Sequence, residues 1–164
     1  MPLTLQEWLD FNIAYLLAEV VKVPAGKDFP MTFYFVTGTS EIYLRHPTSD
    51  DRDLEIALFR GMMKAAGAVQ YAIISSAWVV ALRGAEVPAA RALMEREGTG
   101  TKYKDRRQEV YLVVAGDKDE TLQAYFDVRR DYKGKIRELI RRNTGPLFSE
   151  GRLIDLLISR EGKH

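Results

Sequence analysis

Leu5, Trp8, Leu9, Ile13, Leu16, Leu17 and Val20 recur at spacings of three and four, which lines one face of a helix and predicts α-structure down to about Val21. Thr4-Leu5-Gln6-Glu7 has the capping-box form, a hydroxyl and a carboxylate each answering a free amide of the first turn, so the helix should begin near Thr4. Pro24, Gly26 and Pro30 end it. The period then becomes strand-like. Met31 to Val36 and Glu41 to Arg45 are rich in aromatic and β-branched residues and flank the turn residues Thr37-Gly38-Thr39-Ser40, a predicted β-hairpin. After His46-Pro47, Thr48-Ser49-Asp50-Asp51 supplies an N-cap with acids where the helix dipole favours them. A second helix should run to about Ala66, with Leu54, Ala57, Leu58, Gly61, Met62 and Ala65 as its inner face and Gly67 as its C-cap.

Val69 to Leu82 is apolar on both strand faces and predicts the central strand of a sheet. Arg83 to Arg107 is a long connection in which Pro88 to Glu97 can form one short helix before Gly98-Thr99-Gly100-Thr101. Gln108 to Ala115 and Thr121 to Val128 flank a polar turn and form a second hairpin. In its second strand Leu122, Ala124, Phe126 and Val128 alternate with Gln123, Tyr125, Asp127 and Arg129, one face buried and one wet. In Tyr132 to Arg142 the spacing of Ile136, Leu139 and Ile140 suits a helix, while Gly134 and the dense charge do not; a helix is the expectation. Ser149 caps a final predicted helix through Leu153, Ile154, Leu157 and Ile158, and residues 160–164 form a frayed tail. Hairpins joined directly favour an α+β fold: one domain over residues 1–164, with an antiparallel sheet of about five strands (two hairpins plus the central strand) and three to four helices packed mainly on one face.

Composition narrows the function classes. At 164 residues, 46% hydrophobic and 29% charged, the chain has enough apolar material for a core without staples. It has no cysteine, which removes disulfides, thiolate nucleophiles and cysteine zinc sites. Glu7, Asp10, Asn12 and Glu19 interrupt the N-terminal apolar run, so neither a signal peptide nor a spanning helix is expected, and a cytoplasmic protein without a membrane partner is. The net charge of +1 hides an asymmetry: residues 1–60 hold five Lys or Arg against nine acids, about −4, leaving +5 for the remainder.

Candidate chemistry is sparse. Arg45-His46-Pro47-Thr48-Ser49-Asp50-Asp51-Arg52-Asp53 sits between strand and helix as does the H-x-H-P zinc motif of JAB/MPN metalloproteases, but Leu44 stands where the first histidine is needed and the other histidine is the terminal His164. Asp50, Asp51, Asp53 and Glu55 suit a divalent cation in type, and equally the acidic first turn of an ordinary helix. Ser75-Ser76 lies within a strand and no nucleophile elbow surrounds any serine. Gly98-Thr99-Gly100 lacks the continuation of a phosphate loop. No catalytic residue, metal ligand or cofactor is therefore assigned.

Basic residues cluster in Lys102-Tyr103-Lys104-Asp105-Arg106-Arg107 and in 129–142, where Arg129, Arg130, Lys133, Lys135, Arg137, Arg141 and Arg142 face only Asp131 and Glu138. Gathered on one side with Tyr103, Tyr125 and Tyr132, they would track a phosphate backbone and stack bases. Scattered, they are solvated strand edges. Trp78, in a two-faced strand, reads as core or as a subunit contact.

Ala68-x-x-Tyr71, Ser75-x-x-Trp78 and, after the long connection, Asp105-Arg106-Arg107-x-Glu109-Val110 resemble a family of uncharacterised bacterial and phage-type proteins over about residues 50 to 130. Many of those sequences place an acid before the Ala-Trp pair, where this chain has Ser76. The resemblance implies no activity, and it points to Trp78, Arg106, Arg107 and Glu109 as a cluster; if the strand from Gln108 pairs beside the central one, Arg107 and Glu109 share a face and an ion pair between them would pin the long connection. The candidate binding residues are thus Arg106, Arg107, Glu109, Arg129, Arg130, Lys133 and Lys135. The leading expectation is a non-enzymatic protein-interaction or self-assembling accessory module, a homo-oligomer or a protein's partner, docking through a sheet edge or the aromatic hairpin Phe33, Tyr34, Phe35. A nucleic-acid-associated phage or bacterial accessory protein is the alternative, and a metal-dependent enzyme at Asp51 the third.

Overall fold

The computed structural model describes residues 3–80 and 107–142, together with helical positions at Pro88, Ala89 and Ala92, which fall in the expected short helix. Most of the 83–107 connection, Arg106, the helix expected from Ser149 and the tail lie outside the described residues. The elements are α1 (Leu5–Val20), β1 (Thr32–Thr37), β2 (Ile42–Arg45), α2 (Arg52–Ala66), β3 (Ala68–Val80), β4 (Arg107–Gly116), β5 (Thr121–Arg130) and β6 (Ile136–Arg141). They build an α+β fold on one six-stranded antiparallel sheet, in the order β2-β1-β3-β4-β5-β6. None of the described helices is long and apolar enough to cross a membrane.

Local chemistry accounts for several boundaries. The Thr4 hydroxyl accepts the Glu7 amide at 3.2 Å while Glu7 Oε2 accepts the Thr4 amide at 2.7 Å, a closed capping box at the start of α1. At α2 the cap is Asp51, whose carboxylate accepts the Leu54 amide, and Gly67 ends the helix in the left-handed conformation, φ 68°.

The central 13-residue strand β3 is buried on both sides over Tyr71 to Ile74, as its pattern predicts. Ala72 and Ile74 point to α1, where Leu5, Trp8, Leu9, Ile13, Leu16 and Val20 pack over Tyr34, Tyr111, Val113, Ala115, Ala124, Phe126 and Ile136. Trp8 donates its indole N–H to the Tyr71 carbonyl at 2.9 Å and locks α1 in place. Tyr71 and Ile73 point the other way, to Ile56, Phe59 and Met63 of α2, with Phe33, Phe35 and Val114. The two helices therefore cover opposite faces, not mainly one. A strand apolar on both sides leaves no wet face, so each side requires its own cover. Tyr71 also lies across Gly116, where a Cβ would overlap its ring.

Two further expectations are corrected. Residues 136–141 form a sixth strand, not a helix. Asp131 to Lys135 make a tight turn: the Asp131 carboxylate accepts the Lys133 and Lys135 amides, and Gly134 adopts φ 82°. Gly134 was thus the decisive residue, since a left-handed turn reverses the chain beside an existing strand. The inner face of α2 is also different. Leu54, Leu58 and Met62 are 48, 44 and 38% exposed, and Ala57, Gly61 and Ala65 are exposed with them. α2 carries two apolar stripes, and the one holding Ile56, Phe59 and Met63 lies on the sheet, where Phe59 stacks on Phe33 at 4.6 Å between ring centroids. The larger, aromatic-bearing stripe buries more area against the aromatic strand β1.

Candidate interaction edge

Of the predicted basic site, the segment 102–106 and the Arg107 side chain lie outside the described residues, and Arg130 of the segment 129–142 sits in a structural junction. Arg130, at the end of β5, makes a two-pronged pair with Glu109 of β4, Nε to Oε2 at 3.0 Å and Nη2 to Oε1 at 2.7 Å. Nη2 also reaches Asp28 at 2.6 Å, and Nη1 donates to the carbonyls of Gly134 and Lys27. One guanidinium thereby ties the α1–β1 connection and the β5–β6 turn to the middle of the sheet. Glu109 is held below the usual carboxylate range, chiefly by the hydrogen bonds from Arg130. The neighbouring Tyr111 hydroxyl accepts the Phe29 amide at 2.7 Å, and burial pushes its pKa up to about 12.

Lys135 is committed as well. Its ammonium donates to the carbonyls of Val21 and Val23 at 2.9 and 3.0 Å, closing the C-terminal end of α1. Arg137 pairs with Asp131, and Arg142 with Asp127, each at 2.7 Å. Arg129 and Lys133 reach solvent, Arg129 beside Glu138 at 3.8 Å and Lys133 against the exposed Tyr132 ring. The structure thus brings Glu109 and Arg130 together, sets Lys135 behind them and leaves Arg129 and Lys133 outside the cluster. The backbone of Arg107 starts β4, and Trp78 stands opposite Glu109 in the ladder.

Two of the acids at the start of α2 have structural duties. Asp51 caps the helix, and the buried Glu55 accepts Arg45 Nη2 at 2.9 Å and the amides of Thr48 and Ser49. The Arg45 hydrogen bond holds Glu55 below its ordinary pKa. The His46 ring lies 3.4 Å from Thr32 Oγ1 and from the Met31 carbonyl. Among the described residues no group of three His, Asp or Glu comes together as metal ligands. The Ser75 hydroxyl donates to the Ser76 carbonyl.

The unusual surface lies at the opposite edge. Phe33 and Phe35 are core and Tyr34 is buried, so the aromatic strand of the first hairpin is not available for docking. Its partner β2 is. Ile42, Tyr43 and Leu44 are 61, 42 and 50% exposed, carry no charge, and sit on an edge that no described residue pairs from outside. Edge strands of monomers are normally guarded by brevity, charge, proline or a bulge, and β2, four residues long, has charge only at its end, on Arg45. Tyr43 stacks on Phe35 at 4.9 Å, on the α2 side of the sheet. Leu58 and Met62 follow Glu55 by three and seven residues, which turns them to the flank of α2 that faces β2, because Glu55 itself reaches Arg45. On the other face Ile42 adjoins a cavity of about 520 Å³ lined by Leu3, Trp8, Val36 and Val69 and by the polar Gln70, Asp117 and Asp119.

This edge was readable only in part. The uncharged triplet Ile42-Tyr43-Leu44 was visible, but nothing local says that a strand will be last in its sheet. Comparison of the chain with protein-family models, curated proteins and solved structures finds no match.

Proposed function

We propose that the chain is a protein-interaction module that docks another protein by strand addition at β2. The observation carrying this reading is the run Ile42-Tyr43-Leu44, exposed and uncharged on an open edge beside the exposed apolar flank of α2. Strand addition draws affinity from main-chain hydrogen bonds and specificity from alternate side chains, and β2 offers both. Tyr43 presents an aromatic surface on one face, Ile42 and Leu44 apolar surface on the other.

The hydrogen-bond pattern identifies the reporters. The Thr37 amide donates to the Glu41 carbonyl at 2.9 Å, and alternation along the ladder then turns the N–H and C=O of Ile42 and Leu44 away from β1. Hydrogen exchange at these two amides tests the reading. They should exchange quickly in the dilute purified chain and become protected when it is concentrated or mixed with extract of its source cells. Fast exchange under all three conditions overturns the proposal.

A further inference from the structure

We infer that the strand added at β2 is β2 of a second copy, related by a two-fold axis through Tyr43. The inference rests on the docking reading above and names its partner.

Two independent features of the strand select this register. An antiparallel pairing centred on Tyr43 sets Ile42 opposite Leu44 of the copy, and Leu44 opposite Ile42. Those are the residues whose N–H and C=O point outward, so each pair exchanges two hydrogen bonds and all eight free main-chain groups find partners. The same register sets Glu41 opposite Arg45 of the copy, twice. Glu41, Tyr43 and Arg45 share the α2 face, where the Tyr43 hydroxyl already donates to Glu41 Oε2 at 2.8 Å. Arg45 holds Glu55 through Nη2 and still keeps a quarter of its side chain in solvent, and a guanidinium carries five donors. The five-residue sequence is therefore self-complementary in charge, apolarity and hydrogen bonding, as a two-fold interface requires. On the α2 face the paired tyrosines meet at a position that is not hydrogen-bonded, where cross-strand side chains approach most closely. The flanks of the two α2 helices, with Leu58 and Met62, turn toward this pair.

The chain's lack of cysteine makes a register test direct. Cα atoms at a non-hydrogen-bonded pair lie about 4.5 Å apart, within disulfide reach. Tyr43→Cys should form a disulfide-linked dimer under air oxidation, and Ile42→Cys, whose copy lies two positions off, should not. Leu44→Pro removes an N–H that β1 does not use. It should keep the far-ultraviolet spectrum of the parent chain and weaken dimerisation in sedimentation equilibrium by about 100-fold, since each interface loses two main-chain hydrogen bonds. Glu41→Arg should weaken it too, because it sets two cations opposite each other at both ends of the pairing.

A chain that stays monomeric at all concentrations, a dimer indifferent to Leu44→Pro, or equal cross-linking at both cysteine positions overturns the inference. If the chain is monomeric and extract still protects the Ile42 and Leu44 amides, only the identity of the partner fails. If nothing protects them, the docking reading fails with it.

Discussion

Arg130, within the densely charged segment 129–142, commits all three guanidinium nitrogens to partners inside the protein, whereas Tyr43, in an uncharged triplet, stands at a sheet edge that no described residue pairs from outside. The contrast runs against the usual assignment of charged residues to surfaces and apolar ones to cores. What decides it is the availability of partners. At the β4–β5–β6 end, Glu109, Asp28 and the carbonyls of Lys27 and Gly134 converge on one point, and a planar guanidinium with five donors satisfies them together. Among the described residues the sheet ends at β2, and α2 has a single sheet face to bury but two apolar stripes. Charge was thus absorbed where the chain crosses itself, and apolar surface was left over where it does not.

The sharpest test of this contrast lies within α2. Phe59→Ala, which empties a fully buried site, should cost about 3–5 kcal/mol in chemical denaturation, and Leu58→Ala, one residue away, less than about 0.5 kcal/mol in the dilute monomer. Comparable losses at both positions would mean that the outer stripe is core after all.

At the junction, Arg130→Ala should destabilise by about 2–3 kcal/mol, because it strands a carboxylate and two carbonyls. Arg130→Lys should recover only part of this, since an ammonium cannot reproduce the two-pronged pair. Equal stability of the Lys variant and the parent would reduce the junction to a point charge.

The pH profile reports the same pair. Glu109 has its pKa lowered in the folded state, so its contribution is complete above the ordinary glutamate value of 4.5 and is lost as pH falls through the lowered one. Glu109→Gln should flatten that acid limb. Tyr111 acts in the opposite sense: its folded pKa is raised from 10 to about 12, so its contribution is complete below pH 10 and is lost on going from 10 to 12. Denaturation midpoints measured across both limbs check the two signs.

The smallest effect is expected at the solvent-facing cations. Arg129→Ala and Lys133→Ala should each change stability by less than about 0.5 kcal/mol, because exposed pairs and a cation beside an exposed ring contribute little. A large loss at either would show that the junction extends beyond Arg130 and Lys135.

Features with local causes were legible in the chain. The Thr4–Glu7 capping box, the Asp51 cap, the Gly67 terminus, both hairpins and the two-faced central strand each depend on residues a few positions apart, and each stands where the pattern puts it. Candidate site residues were harder to read. Glu109 and Arg130 were both singled out, yet their pairing spans 21 residues and has no local signal; the side chain of Arg107, the partner expected for Glu109, lies outside the described residues. Tyr132 to Arg142 was ambiguous for the same reason, since its apolar spacing suited a helix and only a strand waiting beside it made β6.

The sequence by itself determined an α+β chain with a buried central strand, because caps, turns and periodicity act over a turn or a few residues. The tertiary structure alone decided which stripe of α2 is buried, which helix covers which face, where Arg130 finds its acids and which strand is left at the edge. Burial is a property of two surfaces, and the chain states only one of them at a time.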